Sequence, residues 1–213
     1  MSIKPIDMEA YDRKEHFNHF IEHECSINIT VEINVTSVIS FVKHNKLRTM
    51  PVILWIISKA ANEVKEFRHT LDELGRLCCF DVIHPGYVVI NDSTKNFSCI
   101  CTEYDKDFWK FYYKCVEDMN LGNSNQLFPQ KKEPINIFSV TCMPRLPFKS
   151  FNIGLNNPSK KPIFATGKIR NENSILLLPL SIQVHHAFCD GYHIEIFLQS
   201  LENIINSDLF CCS

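Results

Sequence analysis

The feature that most constrains the fold is an almost continuous apolar stretch from Ile175 to Val184. A strand with apolar side chains on both faces has to be buried on both faces. The chain must therefore build a sheet with cover on both sides of this strand. Its 213 residues, 45% of them hydrophobic, are enough for a full core, and we expect one domain over residues 1–213.

The periodicity of apolar residues predicts the other elements. Strict alternation from Ile27 to Val35 predicts a half-buried strand. Helices are expected over Arg13–Ile21, Thr36–His44, Pro51–Phe67, Asp105–Met119 and Gly191–Ile205. Further strands are expected over Cys78–Ile83, Tyr87–Asn91, Phe97–Thr102, Ile135–Cys142, Ser150–Leu155 and Ile163–Ile169, the first three as a meander. Because strands and helices do not alternate regularly, we expect a two-layer α+β fold, with a mixed, largely antiparallel sheet covered by helices.

Charge and hydropathy argue against two classes of partner. Lys and Arg total 22 against 24 Asp and Glu, so the net charge of -2 provides no basic field for nucleic acid. The apolar run from Pro51 to Ile57 is far shorter than the roughly 20 residues that span a bilayer. Charged residues throughout positions 1–17 do not fit a signal peptide. We expect a cytoplasmic protein with no nucleic-acid or membrane partner.

Cysteine and glycine usage argue against other kinds of site. The ten cysteines include no Cys-x-x-Cys pair, so a structural zinc is not expected, and reduced thiols suit a chain without an export signal. The six glycines are too scattered to form a Rossmann fingerprint or a P-loop. A nucleotide-bearing cofactor would therefore have to bind through contacts other than a glycine-rich loop.

The densest chemistry lies between the buried strand and the last helix, in residues 183–191. Two imidazoles and a carboxylate there could be a general base with an orienting acid, a metal site or a structural loop. A metal needs more ligands than His186 and Asp190 supply. We favour base chemistry and expect no metal.

The segment His185-His186-Ala187-Phe188-Cys189-Asp190-Gly191 resembles the His-His-x-x-x-Asp-Gly signature of chloramphenicol acetyltransferases, which a wider acyltransferase class shares. Other segments follow the same family in the same order along nearly the whole chain. They are Arg13-Lys14-Glu15-His16-Phe17, Glu66-Phe67-Arg68, Phe97-Ser98, Phe128-Pro129, Phe148-x-Ser150-Phe151-Asn152 and Leu178-Pro179-Leu180-Ser181-Ile182-Gln183-Val184. These additional segments narrow the resemblance from the wider acyltransferase class to the chloramphenicol acetyltransferases.

The resemblance implies a CoA-dependent acyltransferase fold and a homotrimer in which acetyl-CoA, as co-substrate, and chloramphenicol meet between subunits. His186 matches the base that takes the proton of the attacking hydroxyl, a role worth roughly 10²–10⁴ in rate. Ser150 matches a serine that donates to the oxyanion of the tetrahedral intermediate. Asp190 and Arg13 match a buried ion pair that fixes the loop.

The resemblance also implies binding residues. Phe20, Cys25 and Phe97 match apolar walls of the acceptor pocket. Arg48 and Lys168 are the candidates for contacts with the phosphates of CoA. Direct acetyl transfer needs no acyl-enzyme, so none of the thiols has to be catalytic.

Three positions depart from the family pattern. Ala165 stands where many members have a threonine that holds a water near the oxyanion, Arg145 where a tryptophan is expected, and Met50 where a tyrosine is expected. These changes keep two alternatives open. One is acyl transfer to another hydroxyl or thiol acceptor, such as dihydrolipoamide, and the other is a non-catalytic trimeric binding protein.

Overall fold

The apolar stretch near the end of the chain forms an eleven-residue strand inside a seven-stranded sheet. The computed structural model describes residues 3–23, 25–91, 94–122, 134–154 and 160–211. The described strands are β1 (Ile3–Pro5), β2 (Ser26–Asn34), β3 (His69–Leu71), β4 (Leu77–Phe80), β5 (His84–Ile90), β6 (Phe97–Cys101), β7 (Ile137–Cys142), β8 (Ile163–Thr166), β9 (Arg170–Glu172) and β10 (Ile175–His185). The described α-helices are α1 (Lys14–His23), α2 (Thr36–His44), α3 (Thr49–Glu63), α4 (Phe108–Gly122) and α5 (Gly191–Ile205).

The large sheet has the strand order β2-β10-β8-β7-β5-β6, with β9 also paired to β10. β10 is antiparallel to β2, β8 and β9, and β5 is antiparallel to β6. The pairs β5–β7 and β7–β8 are parallel. The predicted mixed, mostly antiparallel sheet is therefore confirmed.

The two faces of β10 have different surroundings because side chains alternate along a strand. Leu180, Ile182 and Val184 are fully buried in the core, together with residues of α3 and α5. The other face carries the polar side chains of Ser181 and Gln183, next to Asn28 of β2. Helices thus cover the apolar face, and the polar face is left for other segments. In the part of the chain described, no helix is long and apolar enough to cross a membrane.

One predicted strand is wrong. Residues 150–154 are irregular, and Leu155 lies outside the described residues. The reason is that side chains, not a neighbouring strand, take up the backbone groups of this segment. Gln183 uses both ends of its amide on Ile153, accepting from the N–H and donating to the C=O, each at 3.1 Å. The segment is anchored on the sheet without joining its ladder.

The predicted meander is also wrong in its first strand. β4 pairs with β1 and β3 in a separate three-stranded sheet, whereas β5 and β6 form the expected hairpin. Between β4 and β5, the Asn62 side chain binds the backbone of Ile83, accepting from its N–H at 2.9 Å and donating to its C=O at 2.8 Å. Strands β1, β3 and β9 have three residues each and were too short for a periodic signal.

Candidate active site

The turn between β10 and α5 presents His186 beside α1. The backbone N–H of His186 donates to the C=O of Cys25 at 2.9 Å, which ties the turn to the chain just before β2. The ring of His186 stacks on Phe20, with ring centroids 3.7 Å apart and planes 23° apart. Three of the residues singled out in the sequence, His186, Phe20 and Cys25, are thus brought together.

The hydrogen bond of the His186 ring defines its tautomer. Nδ1 lies 3.2 Å from the carbonyl oxygen of Cys189. Because a carbonyl oxygen only accepts, Nδ1 has to carry the hydrogen. In the neutral imidazole the free electron pair then lies on Nε2. The side chain is partly exposed, so a group that donates a proton, such as a hydroxyl, can approach Nε2.

Asp190 connects three parts of the site. Its Oδ1 accepts from the N–H of Tyr192 at 3.0 Å, which makes it the N-cap of α5. Its Oδ2 accepts from Nη1 of Arg13 at 2.6 Å, and the two side chains are 27% and 21% exposed. The pair is therefore partly buried and links α1 to the turn that carries His186.

His193 completes this arrangement, and sequence reasoning missed it. Its ring lies three residues into α5, with Nδ1 2.8 Å from Oδ1 of Asp190. The signal was available, since the third helical position is where a side chain can return to the N-cap residue. His193 is nearly fully buried, and its Nε2 lies 3.9 Å from a carboxylate oxygen of Glu66.

These neighbours hold Asp190 in its ionised form. Partial burial raises the pKa of the carboxyl group, but the Arg13 guanidinium and the His193 ring outweigh burial and leave this pKa below its usual value. Arg13 and Asp190 therefore act as a permanent ion pair around neutral pH.

Ser150 lies on a segment whose path along the sheet is fixed on both sides. Before it, the ring of Phe148 packs on Gly167 so closely that a Cβ there would lie 2.7 Å from the ring. After it, the C=O of Phe151 accepts from Oγ of Ser181 at 2.6 Å. Ser150 itself is exposed, and none of the described residues hydrogen-bonds its hydroxyl.

These anchors separate Ser150 from His186 within one chain. Ser150 lies close to the level of Ser181 on β10, and His186 follows Ser181 by five residues. At about 3.3 Å per residue, this is about 16 Å along the strand. A site that uses both side chains on one substrate needs a second copy of the chain.

A cavity of about 690 Å³ is lined by residues from the start of α3, the end of α4 and the strands β5, β7 and β8. Arg48, at the start of α3, and Lys168, after β8, both line it, as do Met50 and Gly167. The Arg48 guanidinium donates to Asn120 Oδ1 at 2.9 Å. The structure thus brings together the two cations that were singled out for phosphate contacts.

Phe97 lies apart from both groups. It begins the edge strand β6 opposite Ile90, which lines the cavity, and its side chain is 51% exposed. Among the described residues, Phe97 makes no ring contact with Phe20 or His186.

Residue 165 differs from the family pattern, in which a threonine stands at this position. Ala165 is buried opposite Ser181, whereas Thr166 lies opposite Leu180 and lines the cavity. Thr166 also lies opposite Cys142 of β7, and burial raises the pKa of the Cys142 thiol to about 11. Thr166 is therefore a hydroxyl on the cavity wall, on the opposite face of β8 from Ala165, as the alternation of side chains along a strand requires.

The remaining features singled out in the sequence are the cysteine thiols, a possible metal site and the Phe128-Pro129 segment. All nine described cysteines are free, and burial holds the pKa of Cys189 well above its usual value, so its thiol stays neutral. Over the described ranges, no group of three or more His, Cys, Asp or Glu side chains could hold a metal ion. The segment Phe128-Pro129 lies outside the described residues.

Comparison with known proteins gives a consistent picture. A family profile described as chloramphenicol acetyltransferase matches residues 1–202. A chloramphenicol acetyltransferase of Bacillus pumilus is 37% identical over 208 residues, which cover 95% of this chain and 93% of that protein. A solved chloramphenicol acetyltransferase superposes with a TM-score of 0.85 at 23% identity, covering 96% of this chain and 100% of its own. A dihydrolipoamide acetyltransferase of Azotobacter vinelandii has the same fold at a TM-score of 0.70 and 16% identity, covering 90% of this chain and 85% of its own.

The ion pair predicts a pH-dependent contribution to stability. Asp190→Asn removes one charge and should lower the free energy of unfolding at pH 7 by about 1–3 kcal/mol, since Arg13 loses its partner in a partly buried place. Because the folded pKa of Asp190 is depressed, this contribution is complete above the unfolded value near 4 and disappears as the pH falls through the folded value.

Urea unfolding at fixed protein concentration, at pH 7 and in steps below pH 4, measures this difference. Asp12→Asn is the matched control, because it makes the same charge change next to Arg13 at an exposed position. A difference between wild type and Asp190→Asn that stayed constant down to pH 2 would contradict the assignment.

Proposed function

We propose that this chain, which belongs to the chloramphenicol acetyltransferase family, transfers the acetyl group of acetyl-CoA to the primary hydroxyl of chloramphenicol, and so confers resistance to the antibiotic. The observation that carries the proposal is the His186 turn, in which the family signature presents a ring with its Nε2 electron pair free. The match of the family profile over residues 1–202 and the relative at 37% identity support the choice of acceptor.

His186 is the general base. An alcohol is a poor nucleophile at neutral pH, and a neutral imidazole within hydrogen-bond reach takes its proton as the oxygen attacks the thioester carbonyl. The bond from Nδ1 to the C=O of Cys189 and the stack on Phe20 keep Nε2 in one direction. The proton then passes from His186 to the departing CoA thiolate. Because the hydroxyl attacks the thioester directly, no acyl-enzyme is formed.

Ser150 donates to the oxyanion that forms when the hydroxyl attacks. Its hydroxyl is exposed and sits on a segment held by Phe151 and by Phe148, which packs on Gly167 in the cavity wall. A positioned donor of this kind stabilises the charge that develops only in the transition state. Because Ser150 and His186 are about 16 Å apart along one chain, the His186 of one copy meets the Ser150 of another, as in a homotrimer with its sites between subunits.

The cavity receives acetyl-CoA. Arg48 and Lys168 supply positive charge for phosphates, and apolar side chains such as Met50 and Leu178 suit the pantetheine arm. Chloramphenicol lies against Phe20 and Cys25 next to His186, and Phe97 closes the acceptor side from the neighbouring copy. Dependence on acetyl-CoA, a cytoplasmic metabolite, places the reaction in the cytoplasm.

The departures at Ala165, Arg145 and Met50 leave a second acyl acceptor as the competing function. Met50 lines the cavity, whereas Ala165 lies on the other face of β8, opposite Ser181. The change at Met50 therefore lies on the cofactor side and not at the wall formed by Phe20. Purified protein that released CoA only with another alcohol or thiol would favour the second acceptor, and binding of chloramphenicol without acetyl transfer would favour a binding protein.

Replacing the base should abolish turnover. His186→Ala, assayed with acetyl-CoA and chloramphenicol by release of CoA thiol and by acetylated product, should lose roughly 10²–10⁴ in rate. His44→Ala removes an exposed imidazole at the end of α2 and should leave the rate unchanged. Retention of more than a few per cent of activity in a folded His186→Ala protein would remove this residue from its role.

Removing the oxyanion donor should affect turnover and spare substrate binding. Ser150→Ala should lower kcat by about 10²–10³ with little change in KM, because the hydrogen bond forms only in the transition state. Ser40→Ala, an exposed serine on α2, is the matched control. A loss confined to KM would mean that Ser150 holds substrate in the ground state.

A further inference from the structure

Helix α1 carries two exposed histidines one turn apart, close to the proposed acetyl-transfer site but separate from it. His19 and His23 are four residues apart and therefore share one side of the helix. Their ring centroids are 4.4 Å apart, with the planes inclined by 33°. Both side chains are exposed, so solvent and ions reach them.

The ring of His23 is held in the tautomer that binds metals. Its Nδ1 lies 2.6 Å from the carbonyl oxygen of His19. A carbonyl oxygen only accepts, so Nδ1 carries the hydrogen and Nε2 of the neutral ring keeps its electron pair. Metal-binding histidines commonly fix their second nitrogen in this way, by donating it to a carbonyl or carboxylate.

We propose that His19 and His23 bind one divalent transition-metal ion, with water at the remaining coordination positions. Imidazole nitrogen favours Ni²⁺, Cu²⁺ and Zn²⁺ over Mg²⁺ and Ca²⁺, which prefer oxygen ligands. With metal–nitrogen bonds of about 2.0–2.1 Å, two imidazoles on one ion have centroids about 5 Å apart. The observed 4.4 Å is close enough for small side-chain rotations to close the site.

The site does not include His186. The ring of Phe20 stands between them, in edge contact with His19 at 4.9 Å and stacked on His186 at 3.7 Å. His16 is a third exposed histidine on α1, and its ring contacts neither His19 nor His23 in the described part of the chain. His16 and His186 therefore provide controls for nearby imidazoles that are not ligands.

Isothermal titration of the tag-free, fully reduced protein with Ni²⁺ at neutral pH tests the proposal. Wild type should bind one Ni²⁺ per chain, and His19→Gln and His23→Gln should each weaken binding about tenfold or more, since one of two imidazoles is lost. His16→Gln and His186→Ala should bind as wild type does. Because the readout is binding and not turnover, the result is independent of the proposed acetyl transfer.

Three results would overturn the proposal. Wild-type protein that does not bind Ni²⁺ would do so at once. Unchanged affinity in both His19→Gln and His23→Gln would assign the ion to other groups, such as the exposed thiol of Cys211. A loss in His186→Ala as large as that in His23→Gln would place the ion at the acetyl-transfer site. Circular dichroism of each variant establishes that its fold is intact.

Discussion

The structure depends on the backbone pairing of β10. This strand is buried over most of its length, so its N–H and C=O groups need partners along both edges. On one edge it runs antiparallel to β2, with Leu177–His185 opposite Asn34–Ser26, and on the other it pairs with β8 and β9. That pairing places the end of β10 beside Cys25, whose C=O then fixes the backbone of His186. The polar face of the strand is left to bind the Ser150 segment.

A single carboxylate then orders the turn after β10. Asp190 caps α5, binds Arg13, which directly precedes α1, and contacts His193, so the helix that follows the turn and the helix beside it are held by the same group. This arrangement keeps the His186 ring against Phe20. The two proposed catalytic side chains lie at different levels along β10: Ser150 is on the segment bound near Ser181, and His186 follows Ser181 by five residues. If both side chains act on one substrate, as proposed, that spacing requires a site between copies of the chain.

Much of the fold could be predicted because its signals are local. Helix α5 runs from Gly191 to Ile205 and α2 from Thr36 to His44, as their apolar periodicity indicated. The Ser150 segment could not be predicted, since side chains of β2 and β10 replace the strand that its apolar residues suggested. The family signature pointed to the His186 turn directly. The cavity, in contrast, joins Arg48 and Lys168 from distant parts of the chain, and spacing alone carried no sign that they would meet.

Complementation between two inactive variants tests the central claim most directly. His186→Ala and Ser150→Ala chains are unfolded together, refolded as a mixture and assayed for acetyl transfer to chloramphenicol, with mixed oligomers verified by native mass spectrometry. If each site takes His186 from one copy and Ser150 from another, random assembly restores both residues in about one quarter of the sites, and activity should return to about that fraction of wild type. Mixed oligomers no more active than either variant alone would contradict a site shared between copies.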